Sequence, residues 1–197
     1  MPVENEFNYV LDDADGSLRE RLARIPGVEA WSVVQAYLTD ENRIRSFDDL
    51  VTGETRYIFS FKRKVAGEVR EIETPISKED FESLLPTAGR SLRKTRYAFQ
   101  EAGVHWDVDY FEGRKGVYFV KAEAEVPKSV RSAPPPCESI AANVLYEAGK
   151  QSGFSSRRLA DETYARDLMR VVRQHAKRRD ARLRKGKDVD MVLTLAA

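Results

Sequence analysis

Like-charged residues two positions apart recur along this sequence. The acidic pairs are Glu4 and Glu6, Glu71 and Glu73, Asp107 and Asp109, and Glu123 and Glu125, and the basic pairs are Arg43 and Arg45, and Lys94 and Arg96. Carboxylates bind hard divalent cations, whereas arginine and lysine bind anionic oxygens. Brought together, the two sets would hold a metal ion and a polyanion in one site.

Side-chain alternation along a β-strand would place both members of each pair on the same face. Phe59 and Phe61 alternate with Ser60 and Lys62 in this way. A sheet with one solvated face would show the same pattern. We favour a charged interior instead, because acidic and basic pairs lie on different strands and the opposite face is aromatic or β-branched. Burying an unpaired ion is energetically costly, so we expect such an interior to contain water and to bind a ligand.

The alternation predicts eight short strands, at residues 3–11, 31–38, 42–47, 55–63, 68–76, 91–99, 104–111 and 117–126. Short strands with hairpin-like connections are typical of an antiparallel barrel or sandwich. Two short helices interrupt them, one with Leu18, Leu22 and Ile25 on one face and one after a capping box from Ser77 to Asp80. We therefore expect a mainly-β α+β fold, an eight-stranded antiparallel closed β-barrel with flanking helices.

The character of the sequence changes after Val126. A proline-rich spacer at 132–136 precedes two predicted helices, at 138–148 and 156–184, of which the second is strongly basic. We expect a barrel at 1–127 and a helical C-terminal extension at 128–197 that packs on or beside it. The basic helix offers a contact for nucleic acid. We favour a solvated helix that docks an apolar stripe on the barrel, because the interleaved aromatic residues of single-strand binders are absent.

Composition excludes several classes of protein. Lys and Arg total 33 and Asp and Glu total 32, so the formal net charge of +1 identifies no partner. Cys137 is the only cysteine, which excludes a disulfide framework or a cysteine metal site within the chain. No stretch approaches the roughly 20 apolar residues that span a bilayer, and we expect a cytoplasmic protein. His105 and His175 fall outside the charged pairs and are expected to be ordinary structural or surface residues.

The motifs, taken in order, resemble those of the CYTH family, also called triphosphate tunnel metalloenzymes. The similar segments are Glu4-Asn5-Glu6, Gln35-Ala36-Tyr37-Leu38, Arg43-Ile44-Arg45, Phe59-Ser60-Phe61-Lys62, Arg70-Glu71-Ile72-Glu73, Lys94-Thr95-Arg96-Tyr97, Val108-Asp109-Tyr110-Phe111 and Ala122-Glu123-Ala124-Glu125. Each segment alone is a weak signal, but the ordered set is specific. The resemblance covers residues 3–126 and implies a tunnel-shaped barrel that acts on triphosphates.

The resemblance also implies roles for individual residues. Glu4, Glu6 and Lys62 are expected at the catalytic centre. The triphosphate of tripolyphosphate, ATP or thiamine triphosphate would be bound by Arg43, Arg45, Lys62, Arg70, Lys94 and Arg96. A Mg²⁺ or Mn²⁺ ion would be held by Glu4, Glu6, Asp109, Glu123 and Glu125, where it would polarise the phosphoryl group.

Asn8 stands where the first family motif has a lysine. Three functions stay open on the sequence. Metal-dependent hydrolysis of an inorganic or organic triphosphate is favoured, because the acidic and basic pairs are complete. A non-catalytic or weakly active nucleotide or polyphosphate binder is favoured by Asn8, which supplies hydrogen bonds but no charge. A class IV-type adenylate cyclase is the third, and no base-reading pocket is evident for it.

Overall fold

The computed structural model describes residues 5–65 and 68–184 of the 197-residue chain. Within these two ranges nine antiparallel strands form one sheet, and their bounds are β1 Glu6–Leu11, β2 Glu29–Tyr37, β3 Asn42–Asp49, β4 Thr55–Val65, β5 Glu68–Pro75, β6 Arg90–Glu101, β7 Val104–Gly113, β8 Gly116–Glu125 and β9 Val144–Gly149. The strand order across the sheet is β5-β4-β3-β2-β6-β7-β8-β1-β9. The eight predicted strands are therefore all present, with ends shifted by a few residues.

Five α-helices of the described residues flank the sheet: α1 Ser17–Leu22, α2 Lys78–Leu84, α3 Glu138–Ala141, α4 Ser156–Leu159 and α5 Glu162–Leu183. The predicted capping box is present before α2, where the Asp80 amide donates to the Ser77 hydroxyl at 3.0 Å. The single helix predicted at 156–184 is broken, because the Asp161 side chain accepts from the Tyr164 amide and begins α5 afresh. No helix in the described ranges is long and apolar enough to cross a membrane.

The ninth strand corrects the prediction of a helix at 138–148. Only α3 is helical there, and the following residues alternate as a strand, with Tyr146 and Ala148 buried and Glu147 exposed. This strand pairs with β1, where Val10 lies opposite Tyr146. In a closed eight-stranded barrel this edge of β1 would pair with β5. Here β9 occupies it, so β5 and β9 form the two edges of the described sheet. A closed eight-stranded barrel is not confirmed.

The helices α1 and α2 pack on the face of the sheet that carries most of its apolar residues. Tyr9, Trp106 and Val108 pack there with Leu18 and Leu22 of α1. On neighbouring strands, Ile44 packs with Phe81 of α2. This leaves the other face, which carries the charged pairs, on the concave side of the sheet. The alternation of apolar and charged residues is thus resolved into a helix-covered outer face and a charged inner face.

The C-terminal segment closes one end of the concave face. Phe119 of β8 packs with Phe154, their ring centroids 6.5 Å apart, and Leu168 and Val172 of α5 join the same buried cluster. The carbonyl of Phe154 also accepts a hydrogen bond from the buried Lys121 ammonium at 3.2 Å. The segment after β9 therefore forms part of the wall around the charged face.

Candidate functional site

A cavity of about 690 Å³ lies against the concave face of the sheet. The charged lining residues that belong to strands come from seven of them and are Glu6, Arg43, Arg45, Arg56, Lys62, Glu71, Glu73, Lys94, Arg96, Asp107, Glu123 and Glu125. Four of the pairs enter the cavity from one strand each, as the alternation requires: Arg43 and Arg45, Glu71 and Glu73, Lys94 and Arg96, and Glu123 and Glu125. Residues far apart in the chain are thereby brought into one site.

Of the predicted site residues that the structure describes, all but two line this cavity. Glu4 lies outside the described residues. Arg70 is exposed and absent from the lining, because it directly precedes Glu71, which faces the cavity, and neighbouring strand residues point to opposite faces. Asp109 is fully buried beneath the cavity, where Lys94 and Arg96 contact it.

The basic residues of β3 and β4 already contact acidic residues of β5. Arg43 lies 2.6 Å from Glu71, Lys62 lies 3.7 Å from the same carboxylate, and Arg45 contacts Glu73. Burial and the neighbouring Arg43 lower the pKa of Arg45 to about 10, although Glu73 and Glu71 act in the opposite direction. These three cations crowd one wall of the cavity and are held in place by carboxylates.

Arg96 is the centre of a second ionic network. It donates to Asp109, to Asp107, and through Nη2 to Glu123 Oε2 at 3.2 Å. Lys94 reaches Asp109 Oδ2 at 2.6 Å from the same strand. Burial and the positive charge of Arg96 lower the pKa of Lys94 to about 8, against the attraction of Asp109. Both basic side chains are thus fixed before any ligand binds.

The acidic wall consists of Glu6, Glu123 and Glu125. Repulsion by Glu123, together with burial, raises the pKa of Glu6 to about 7, although Lys62 and Lys121 oppose the change. Burial favours a higher pKa for Glu123 as well, but Lys121 and Arg96 outweigh it and lower the pKa to about 2. Carboxylates that repel one another in a polar cavity are a donor set that hard divalent cations prefer.

Asn8 lies on the same wall, in register with Glu123. Its Nδ2 donates to the Gly149 carbonyl at 3.0 Å, while its Oδ1 is buried without a hydrogen-bond partner in the described part of the chain. An amide oxygen is also a ligand for Mg²⁺ or Mn²⁺. The unpartnered oxygen and the nearby carboxylates therefore fit the metal ion that the sequence resemblance implies.

Lys121 supplies a positive charge next to Glu123, the strand partner of Asn8, that the sequence reasoning missed. Its ammonium has no exposed surface and lies 2.7 Å from Glu123 Oε1. The residue stands two positions before Glu123, so the alternation that selected Glu123 and Glu125 would also have selected it. A buried cation therefore lies on the strand next to that of Asn8.

His105 and Asp107 were also not assigned to the site by sequence. Together with Glu125 they offer three ligand atoms within 4.8 Å of one another, which is compatible with a metal ion. His105 lines the cavity, and its hydrogen bond with Asp107 raises its pKa although burial acts against this. His105, Asp107 and Asp109 alternate along β7, and that pattern would have placed the histidine on the charged face.

Comparisons with known proteins were made on sequence and on structure. No protein-family model and no curated protein matches the chain. Solved structures similar to it include the hypothetical protein NE1496 (TM-score 0.48, 22% identity, 80% of this chain and 97% of that chain). Others are the PH1012 protein from Pyrococcus horikoshii OT3 (0.43, 16%, 64% and 80%) and a putative adenylate cyclase from Bacillus halodurans (0.41, 11%, 64% and 81%). At these identities and TM-scores, the structural similarity does not identify a substrate.

One cavity therefore presents carboxylates on one wall and guanidinium and ammonium groups on another. The carboxylates suit a divalent cation, and the basic groups suit the oxygens of a polyanion. A metal ion held by the carboxylates would neutralise part of the charge of a polyanion bound by the basic groups. This arrangement is suited to binding a polyphosphate and its metal together.

Proposed function

We propose that this protein is a metal-dependent triphosphate hydrolase of the CYTH type. The observation that supports the proposal is the opposition of two charged walls across one cavity. Glu6, Glu123 and Glu125 form the acidic wall, and Arg43, Arg45 and Lys62 form the basic wall. Arg96 lines the same cavity and contacts Glu123 of the acidic wall. A triphosphate with a bound divalent cation matches this pattern of charge better than a single phosphate or an uncharged ligand.

Glu6, Glu123 and Glu125, with Glu4 ahead of them in the chain, would hold the Mg²⁺ or Mn²⁺ ion. When bound, the ion neutralises phosphate charge and polarises the phosphoryl group toward attack by water. Asn8 Oδ1 adds a neutral oxygen beside these carboxylates.

The basic wall would bind the phosphate oxygens. Arg43 and Arg45 present planar guanidinium groups that can pair with two oxygens at once, whereas Lys62 acts as a point charge. Arg96 is locked by Asp109 and Glu123, so it needs little reorganisation to meet charge that develops on the transferred phosphoryl group. Placement and charge neutralisation are the main demands of phosphoryl transfer.

Phosphate release from tripolyphosphate, ATP and thiamine triphosphate, with Mg²⁺, Mn²⁺ or EDTA, tests the proposal. Glu125→Gln removes an exposed carboxylate of the acidic wall and should lower metal-dependent turnover by about 10-fold to 100-fold. Glu147→Gln is the control, because Glu147 is exposed on β9 and does not line the cavity. Full turnover in EDTA, or equal activity of both variants, would refute the proposal.

A binding function without turnover is the second candidate, and Asn8 favours it. In that case tripolyphosphate with Mn²⁺ raises the melting temperature, yet no phosphate appears. Formation of a cyclic nucleotide from ATP would instead indicate a cyclase. These three readouts differ, so one set of incubations separates the candidates.

A further inference from the structure

An aromatic and cationic stack lines the cavity beside the basic wall. The Arg56 guanidinium lies over two rings, 5.0 Å from the Trp31 centroid and 4.8 Å from the Phe47 centroid. The two rings meet edge to face, with centroids 6.1 Å apart. All three residues line the cavity, and Arg56 is exposed. The proposed binding of phosphate and metal leaves this stack without an assigned role.

The stack is continuous with the residues that would bind phosphate. The Arg45 guanidinium lies 5.2 Å from the Phe47 ring centroid, so this ring has Arg45 and Arg56 as neighbours. Trp31 is the cross-strand partner of Arg96. A phosphate chain held by Arg45 and Arg96 would therefore have the Trp31 and Phe47 rings within reach of its substituent.

The size of the cavity also exceeds what an inorganic triphosphate needs. Its volume of about 690 Å³ falls within the roughly 300 to 1,000 Å³ that drug-sized ligands occupy. Tripolyphosphate has no flat apolar part that would use an aromatic surface. Planar heteroaromatic rings, by contrast, stack readily on tryptophan and on arginine guanidinium groups.

We propose that Trp31, Phe47 and Arg56 form a subsite for the planar ring of an organic triphosphate, such as a nucleobase. This inference rests on the proposed function, because it assumes that the basic wall holds the phosphates. Arg56 is exposed, so its side chain can leave the Trp31 face and cover the outer side of the ring that replaces it. The preferred substrate is then a ring-bearing triphosphate rather than tripolyphosphate.

Kinetics with Trp31→Leu test the subsite against an internal reference. Loss of one stacking partner should raise KM for ATP or thiamine triphosphate about 5-fold to 100-fold, whereas KM for tripolyphosphate should not change. Comparison of ATP with thiamine triphosphate then shows which ring is preferred. Equal effects on all three substrates, or no effect on any, would overturn the inference.

Arg56→Lys is a second and milder variant, because it keeps the positive charge and removes the planar guanidinium group. It should raise KM for ring-bearing triphosphates and leave KM for tripolyphosphate unchanged. Arg63→Lys is the matched control, because Arg63 lies on the same strand but is exposed and absent from the cavity lining. An Arg56 variant that behaves like the Arg63 variant with every substrate would contradict the role of the guanidinium plane.

Fluorescence supplies a readout that does not depend on turnover. The chain has two tryptophans, and Trp106 has no exposed surface, so a ligand in the cavity reaches only Trp31. ATP with Mg²⁺ should quench the emission, tripolyphosphate should not, and Trp31→Leu should abolish the response. Quenching without phosphate release would refute the proposed hydrolysis but support the subsite. Turnover without quenching by any ring-bearing triphosphate would support hydrolysis but refute the subsite.

Discussion

The Arg96 guanidinium binds both carboxylate oxygens of Asp109, with Nε 2.7 Å from Oδ1 and Nη2 2.7 Å from Oδ2. Asp109 has no exposed surface, and Lys94 contacts it as well. Burial alone would raise the pKa of Asp109, but Arg96 and Lys94 hold it well below its usual value. This carboxylate therefore compensates two cations beneath the cavity, although its sequence motif suggested a metal ligand.

Asp109→Asn should destabilise the fold, because it leaves Arg96 and Lys94 without their shared countercharge. Breaking a buried ion pair costs about 3 to 5 kcal/mol in the free energy of unfolding, which urea denaturation measures. Asp167→Asn is the control, since Asp167 pairs with Arg170 on the surface, 2.9 Å away, and such pairs contribute about 1 kcal/mol or less. A stable Asp109→Asn variant with an altered Mn²⁺ requirement would restore the metal-ligand role.

Asn8→Lys should raise the rate of triphosphate hydrolysis, because it adds a cation on the acidic wall opposite Glu123. One well-placed charged or hydrogen-bonding group is worth about 10²-fold in rate, and we expect kcat with Mn²⁺ to rise by up to that factor. Asn8→Gln is the control that keeps an amide. A rate for Asn8→Lys no higher than that of the natural chain would indicate that Lys121 already supplies the charge.

Val172→Ala should destabilise the whole protein if α5 is an integral part of the fold. Val172 has no exposed surface and packs in the cluster of Phe119 and Phe154. Loss of two buried methyl groups and the cavity left behind should cost about 2 kcal/mol. Val171→Ala, at a neighbouring position that is 43% exposed, should change the free energy of unfolding little. Equal and small losses in chemical denaturation would show that α5 is dispensable for stability.

Cys137 should be inert toward alkylation while the protein is folded. Burial, together with the nearby Glu101 carboxylate, raises the pKa of the thiol from 9.0 to about 12. The thiolate is the reactive form, so iodoacetamide near pH 8 should label the chain only in denaturant. The thiol has a higher pKa in the folded protein than in the unfolded chain. The stability that comes from burying the neutral thiol is therefore fully present below about pH 9 and is lost as the pH rises toward 12. Complete labelling of the folded protein would contradict the buried position of Cys137.

Alternation along the chain was enough to predict most of the fold and the composition of the candidate site. Glu123 and Glu125, or Arg43 and Arg45, are two residues apart, and a strand puts such residues on one face whatever its neighbours are. The eight strands and the sign of each wall follow from this local rule. The rule could also have found Lys121 and His105, which share a face with residues that were selected.

The tertiary structure decided how deep each of these residues lies and what covers it. Asp107 and Asp109 are equivalent in the pattern, yet only Asp107 reaches the cavity, because Lys94 and Arg96 contact Asp109 and leave it without exposed surface. The edge strand β9 likewise forms only because β1 is available to pair with it. Sequence determines the face of each side chain through local geometry, whereas depth, pairing partners and sheet closure depend on contacts between residues far apart in the chain.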